Sequence, residues 1–259
     1  MAKGKNKKIS KKGKANKRNE KHPFLKKEWY TLIAPSALKK TVPVGWTCCK
    51  KPTGTQVVGD FLKGRVAEIS YADITDNARD VTKKVKMVVD EIQGSLCATS
   101  FYGYELSREK IFALLKKRQS LIEVYTDVKT ADGVIYRIFM VMVTNRKQNQ
   151  VKINSYAQGS KIRVLRKALI NEAVKYAQEK TADDFAYEVI TGVMNSRFEK
   201  KAQEVIPEVK LQISKLKTVK RGAVDVRKLL ENAKQVVNVT GENKIEERPE
   251  AQNTLTAEQ

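Results

Sequence analysis

The sequence predicts an α+β protein: a largely antiparallel sheet or barrel-like core with helices packed on it, a disordered basic tail before it and an acidic one after it. Three observations predict this. Apolar and polar residues alternate in pairs through much of residues 23–153, the pattern of strands with one buried face. Helical spacing takes over through 154–206, and alternation returns in 207–221. Outside that core, Lys3 to Lys21 holds ten Lys or Arg and one acid, Glu20, while from Thr240 onward five Glu outnumber Lys244 and Arg248. Neither end carries enough hydrocarbon to offset the entropy of ordering it. The expected organisation is a tail over 1–22, a single core over 23–221, a short helix within 222–237 and a second tail over 238–259.

Packed structure is expected to begin at Pro23-Phe24, with Trp29 and Tyr30 close behind. Val85, Met87 and Val89 alternate with Lys84, Lys86 and Val88, which predicts a half-buried strand. Ser107 is placed to cap a helix carrying Ile111, Phe112, Leu114 and Leu115, with Lys116-Lys117-Arg118 after it. A hairpin is the clearest local expectation. Ile122, Val124, Thr126 and Val128 share one face, and Glu123, Tyr125, Asp127 and Lys129 the other. Asp132-Gly133 suits a type I′ turn, which needs positive φ at both central residues. Val134 to Thr144 returns with Arg137 as its only charge, and a strand apolar on both faces belongs inside a sheet.

Beyond it, Ile162, Leu165, Leu169, Ala173 and Tyr176 recur at helical spacing. Asp183 is expected to cap the next helix, Gly192 to interrupt it, and Asn195 to cap a third that Pro207 ends. Val209, Leu211 and Ile213 alternate with polar residues as a final strand, and Leu229, Leu230 and Ala233 predict a short helix after Asp225.

Most catalytic chemistry is excluded by what is missing. His22 is the only histidine, so His-based acid–base or nucleophile-activating machinery has no ordinary form here. Three cysteines, two of them adjacent (Cys48, Cys49), make neither a disulfide framework nor zinc-ligand spacing, and they suit a reducing compartment. Gly54, Gly59 and Gly64 lack the Lys-Ser/Thr of a phosphate loop and read as turn glycines. The longest apolar run, Ile138 to Val143, is too short to span a bilayer, and the basic N-terminal stretch is not followed by the apolar segment of a secretory signal. No catalytic residue, cofactor or metal is expected.

Charge is what remains. Lys and Arg total 51 against 29 Asp and Glu, a formal net charge of +22, which suits nucleic acid or an anionic surface. The N-terminal arm, with Lys3, Lys5, Lys7, Lys8, Lys11, Lys12, Lys14, Lys17 and Arg18, gains most by neutralising phosphates and releasing their counterions. From Gly133 to Asn171 eight Lys or Arg appear with no acid. Arg146, Lys147 and Lys152 follow the apolar strand, and Lys161, Arg163, Arg166 and Lys167 sit on the first long helix. An ordinary solvated helix face carries both signs of charge, so this one points to phosphate. Lys215, Lys217, Lys220 and Arg221 form a second patch. Tyr156, Trp29 and Tyr30 are candidates for stacking on bases, with core packing as the plainer alternative for each.

Several motifs together resemble one ribosomal family. They are Leu62-Lys63-Gly64-Arg65-Val66 running through Glu68 to Ala72-Asp73; Asp127-Val128-Lys129-Thr130 with Asp132-Gly133; Ser155-Tyr156-Ala157-Gln158 with Ile162-Arg163 and Arg166-Lys167; and Trp29-Tyr30 with Ala34-Pro35. In that order, from about Lys26 to Arg221, the chain is similar to the small-subunit ribosomal protein family S-three-a, also called S-one-e. The resemblance implies a non-catalytic component of the cytosolic small subunit, with Lys63 and Arg65 added to the rRNA-binding residues. It further implies a position on the platform side near the mRNA exit, beside neighbouring ribosomal proteins, mRNA and a large initiation factor, with nucleolar passage during assembly. The alternative reading is a non-ribosomal RNA- or chromatin-binding regulatory module.

Overall fold

The computed structural model describes residues 23–222, with Glu231 beyond them. The expected tails, the tail cations and the helix after Asp225 lie outside the described residues. The alternating segments form eight strands: β1 (Lys27–Ile33), β2 (Pro43–Lys50), β3 (Val66–Ser70), β4 (Lys83–Gln93), β5 (Leu96–Leu106), β6 (Leu121–Lys129), β7 (Ile135–Thr144) and β8 (Val209–Lys220). Within residues 23–222 six α-helices join them: α1 (Val58–Leu62), α2 (Ala72–Thr75), α3 (Arg108–Leu114), α4 (Gly159–Glu179), α5 (Ala182–Thr191) and α6 (Val193–Gln203). The chain is α+β as expected, and its sheet is open and mostly antiparallel rather than a closed barrel.

The sheet branches at β5. One edge of β5 runs antiparallel along β4, which carries β3 on its far side. The other edge takes β1 in parallel at Leu96 and Cys97, then β8 antiparallel at Gly103 to Glu105. A β1–β2 ribbon thus leaves from one end of β5 and a β8–β7–β6 sheet from the other. Gly103 is what lets β8 approach. A Cβ there would stand 2.8 Å from the Leu216 carbonyl oxygen, so any side chain pushes the two backbones apart.

The main core lies between the β6–β8 sheet and the helices. Ile122, Val124 and Val128 of β6 face Leu165, Leu169, Ala173 and Tyr176 of α4, all buried, as the two periodicities predict. β7 is the inner strand, buried on both faces along its second half. Tyr136 stacks on Phe185 of α5 at 5.8 Å and meets Phe101 edge-on at 6.2 Å. A smaller cluster joins Tyr30 and Leu32 of β1, Cys49 of β2, Leu62 of α1, Val89 and Cys97. β4 departs from the half-buried expectation: Val88 is as buried as Val85, Met87 and Val89, beside bulges that break the strict two-residue period.

Three other local expectations are corrected. The β6–β7 loop is not type I′. Only Gly133 has positive φ, and its N–H donates to the Thr130 carbonyl, so a three-residue loop ends on a left-handed glycine. Asp132 is freed to cap α5, accepting from Ala182 N–H at 2.6 Å. The N-cap of α5 is Thr181, not Asp183, because the Asp183 carboxylate instead accepts the Ser36 hydroxyl at 2.7 Å. Gly192, at φ 93°, ends α5 and also starts α6, leaving Asn195 inside the helix. The Asn195 side-chain oxygen accepts from Ile213 N–H at 3.2 Å, beside the bulge in β8. Helix α3 is capped by Ser107 as expected; Ile111 packs half-buried against the main core, while Phe112 is 56% exposed.

Leu165 and Leu169 are both fully buried, so Leu165→Ala or Leu169→Ala is expected to cost about 2–5 kcal/mol in denaturant unfolding. Gly103→Ala is expected to destabilise by about 1–3 kcal/mol, the usual cost of forcing atoms into packed structure. Hydrogen exchange checks its mechanism, because faster exchange is expected at the β5–β8 junction and not along β6.

Candidate nucleic-acid interface

Hydrogen bonding gathers three chain segments at the start of α4. Residues 145–158 leave β7 and return to the helix, and they are tied to the 115–120 loop. Ser155 N–H donates to the Arg118 carbonyl at 2.9 Å, and Ala157 N–H to the Ser120 hydroxyl at 2.9 Å. Thr144 closes the junction: its hydroxyl donates to the Ser155 carbonyl at 2.6 Å and accepts from Ser120 N–H at 2.9 Å. Within the loop, Arg146 donates twice to the Gln150 carbonyl, at 3.1 and 2.7 Å. The Gln150 amide in turn donates to the carbonyls of Lys152 and Asn154. Arg146 therefore orders the loop rather than standing ready for a ligand.

The other cations here are uncommitted. Lys147, Lys152, Lys161, Arg163 and Lys167 are exposed or nearly so, and among the described residues their side chains have no ion-pair or hydrogen-bond partner. Tyr156 stands beside them, 64% exposed. A cavity of about 300 Å³ opens between loop and helix, lined by Lys147, Tyr156, Lys161 and neutral groups, with no acid. Gln158, the N-cap of α4, makes no side-chain capping bond, and the first turn carries no acidic side chain. The unsatisfied N–H groups and the helix dipole add to the positive potential of the lysines. Arg166 is different again: its Nε donates to the Glu123 carbonyl at 3.3 Å and fastens α4 to β6.

Lys116, Lys117 and Arg118 extend this surface and were not among the predicted site residues. All three are exposed without side-chain partners among the described residues. Arg118 has φ 66°, which turns the chain so that its carbonyl receives Ser155. The signal was present as three consecutive cations after α3, but only the fold brings them beside Tyr156.

The remaining candidates are largely engaged within the fold. Lys63 bridges Glu91 at 2.8 Å, and the Arg65 guanidinium donates to Thr47 Oγ1 at 2.6 Å and the Cys48 carbonyl at 2.9 Å. Lys215 pairs with Glu105 at 3.2 Å, Lys217 lies 5.4 Å over the Phe139 ring, and Arg221 donates to Asp90 and Ser100, both at 2.6 Å. Lys220 alone of that second patch has no such partner among the described residues. Tyr30 is buried; burial first, then its hydrogen bond to Glu28, push its phenol up to about 12. It is a core residue, while Trp29 remains 44% exposed.

An eight-stranded, branched sheet presents an acid-free cationic corner, the kind of surface that suits a polyanion. Among the described residues no His, Cys, Asp and Glu cluster could hold a metal ion, and no helix is long and apolar enough to cross a membrane. Residues 15–222 match the Ribosomal S3Ae family. The chain is 37% identical over 259 residues to the small ribosomal subunit protein eS1 of Babesia bovis, spanning all of this chain and 98% of that one. It is 35% identical to the eS1 proteins of Theileria parva and Cryptosporidium hominis, over all of this chain and 98% and 99% of theirs. The chain belongs to the ribosomal S3Ae family, whose members are structural, non-enzymatic components of the small ribosomal subunit.

The second patch supplies a test of its structural role. The Lys86 hydrogen bond first, then Lys215, hold the Glu105 carboxyl below the usual glutamate range. A carboxyl depressed by folding stabilises above its unfolded pKa of about 4.3, and that contribution is lost as pH falls through the folded value. Thermal melts from pH 7 to 3 are expected to show wild type losing stability below about pH 4.3. Glu105→Gln is expected to start lower at pH 7 and show a shallower acid slope.

Proposed function

We propose that this chain is a structural constituent of the cytosolic small ribosomal subunit that grips rRNA chiefly through the corner built by the 116–118 loop, the 145–158 loop and the first turns of α4. The observation that carries this reading is the sorting of the cations. Elsewhere on the described surface Lys and Arg are commonly paired with Asp or Glu, whereas here they are gathered without acids. Like charges held together repel, so the arrangement gains free energy when phosphate is delivered to it. Folded RNA is recognised mostly by shape and phosphate position, which needs such a surface and no compact base-reading motif. The resemblance supports the finer placement: the platform side near the mRNA exit, contacts to neighbouring ribosomal proteins, mRNA and a large initiation factor, and passage through the nucleolus during assembly. In this reading the N-terminal lysines add further phosphate contacts, and Lys63, Arg65 and the second patch hold the fold with a smaller share in binding.

The test replaces the uncommitted cations and spares Arg166, whose loss would also loosen α4. Lys161→Glu, Arg163→Glu and Lys167→Glu together turn three attractions into repulsions, each charge-assisted contact being worth about 1.5–3 kcal/mol. Circular dichroism melts are expected to remain near wild type, because the three side chains lie off the core face and Glu is a good helix former. Co-sedimentation with small subunits is expected to fail or to become labile to salt. For the wild-type protein and structured RNA, the log–log slope of affinity against salt is expected at roughly −4 or steeper, at about 0.7 per contact. A triple variant that folds and assembles normally removes this corner as an rRNA contact.

A further inference from the structure

The cavity at the start of α4 is lined by a different set of groups from the cationic surface around it. Four side-chain amides face it, those of Asn145, Gln150, Asn154 and Gln158. An amide offers a donor and an acceptor side by side, and much of that capacity is unused here. Among the described residues the side chains of Asn154 and Gln158 make no hydrogen bond. Gln150 bonds through its nitrogen and Asn145 through its oxygen, which leaves the Gln150 oxygen and the Asn145 nitrogen open. Ile206 and Pro207, beyond α6, give the cavity an apolar side, and the Tyr156 ring stands against it, 64% exposed. Lys147 and Lys161 complete the set, and none of the lining residues is acidic. Bonds behind the lining fix its shape. Gln119 Nε2 donates to Asn145 Oδ1 at 3.3 Å, Asn145 N–H donates to the Glu208 carbonyl at 2.7 Å, and Arg146 clamps the Gln150 carbonyl.

We infer that this cavity takes one unpaired nucleotide of the bound RNA, with its base against Tyr156 among the amides and its phosphate on Lys147 and Lys161. The inference rests on the rRNA-binding reading above and names the form of RNA that the same corner selects. Charge alone accounts for the two lysines and not for the rest of the lining. Phosphate oxygens only accept hydrogen bonds, so they leave the amide oxygens and the Tyr156 ring without a partner. An unpaired base supplies what is missing. It has a flat face for the ring, and it has an edge with donor and acceptor adjacent, such as adenine N6–H and N7, which one amide meets with two bonds. In a duplex the faces are stacked and the pairing edges occupied, so a paired base does not enter. An acidic peptide answers the lysines and brings no flat face for the ring. The cavity, about 300 Å³, lies at the small end of ligand pockets, which run to about 1,000 Å³. That size suits a single base with its sugar and not a run of bases.

Three RNA hairpins with one stem sequence test this on the full chain: fully paired, with a single bulged adenosine, and with an abasic residue at the bulge. The adenosine bulge is expected to bind about tenfold more tightly than the other two, the worth of one stacked base. Tyr156→Ala is expected to bring the ratio of bulged to paired affinity close to one, with an unchanged melting temperature because the ring is largely exposed. Tyr156→Phe keeps the ring and is expected to keep the preference. Equal affinity for the three hairpins overturns the pocket and leaves the α4 corner standing. An abasic bulge bound as tightly as the adenosine bulge also overturns it, since the corner then reads a bent backbone and no base. So does a Tyr156→Ala variant that retains the preference. The Lys161, Arg163 and Lys167 triple Glu variant is expected to lose all three hairpins. If it binds the paired hairpin like wild type, the α4 corner fails, while an adenosine preference that disappears in Tyr156→Ala keeps the pocket.

Discussion

A strand has two edges, and β5 uses one of them twice. Its first two residues bond β1 and Gly103 to Glu105 bond β8, while the opposite edge is filled by β4. That junction connects the two halves of the molecule, because the ribbon bearing the tryptophans and the sheet carrying α4 meet through it. It depends on a backbone approach so close that Gly103 has no room for a Cβ beside the Leu216 carbonyl. The ladder on the β4 side runs the length of β5 with two bulges, while β1 and β8 share the other edge.

Charge is arranged on this scaffold in two ways. Where cations serve the fold, they are close to acids or carbonyls: Lys86 and Lys215 on Glu105, Arg137 on Asp127 in a two-pronged contact, Arg221 on Asp90. Such exposed pairs contribute little stability each, but they cancel charge locally. Around the start of α4 the acids are missing and the cations stay uncancelled. The net charge of the chain is thus concentrated in function by subtraction: pairing removes much of the sheet's positive potential and leaves it at the loops and helix end.

Much of the fold was legible because strand and helix periods differ. The β6 alternation, the inner β7 and the α4 stripe of Leu165, Leu169 and Ala173 were all readable, since each depends only on which side of one element is apolar. What escaped was set by partners distant in sequence. Asp183 looked like a cap until Ser36, far upstream, claimed its carboxylate. Asp132 looked like a turn residue but caps α5. Asn195 serves a β8 amide beside a bulge that no local pattern announces. The α3 helix was recognisable from Ser107, yet only part of its apolar side is covered: Ile111 packs on the core while Phe112 meets solvent, because helical spacing shows that a face exists and not how much of it is covered.

For the candidate site the same division holds. Composition and spacing established by themselves a large cationic excess of the kind that suits a polyanion, a single histidine that gives His-based catalysis no ordinary form, and an apolar stripe on α4 with cations around it. Those properties follow from residue type and local geometry, which every conformation shares. The tertiary structure alone decided which cations are spent and which are free, since an ion pair such as Lys63–Glu91 or Arg221–Asp90 forms only when strands far apart in sequence lie side by side. It also brought Lys116, Lys117 and Arg118 beside Tyr156, buried Tyr30, and set Trp46 on the face of Trp29. Burial and charge neutralisation are properties of neighbours in space, and the order of residues along a chain does not contain them until the sheet has chosen its register.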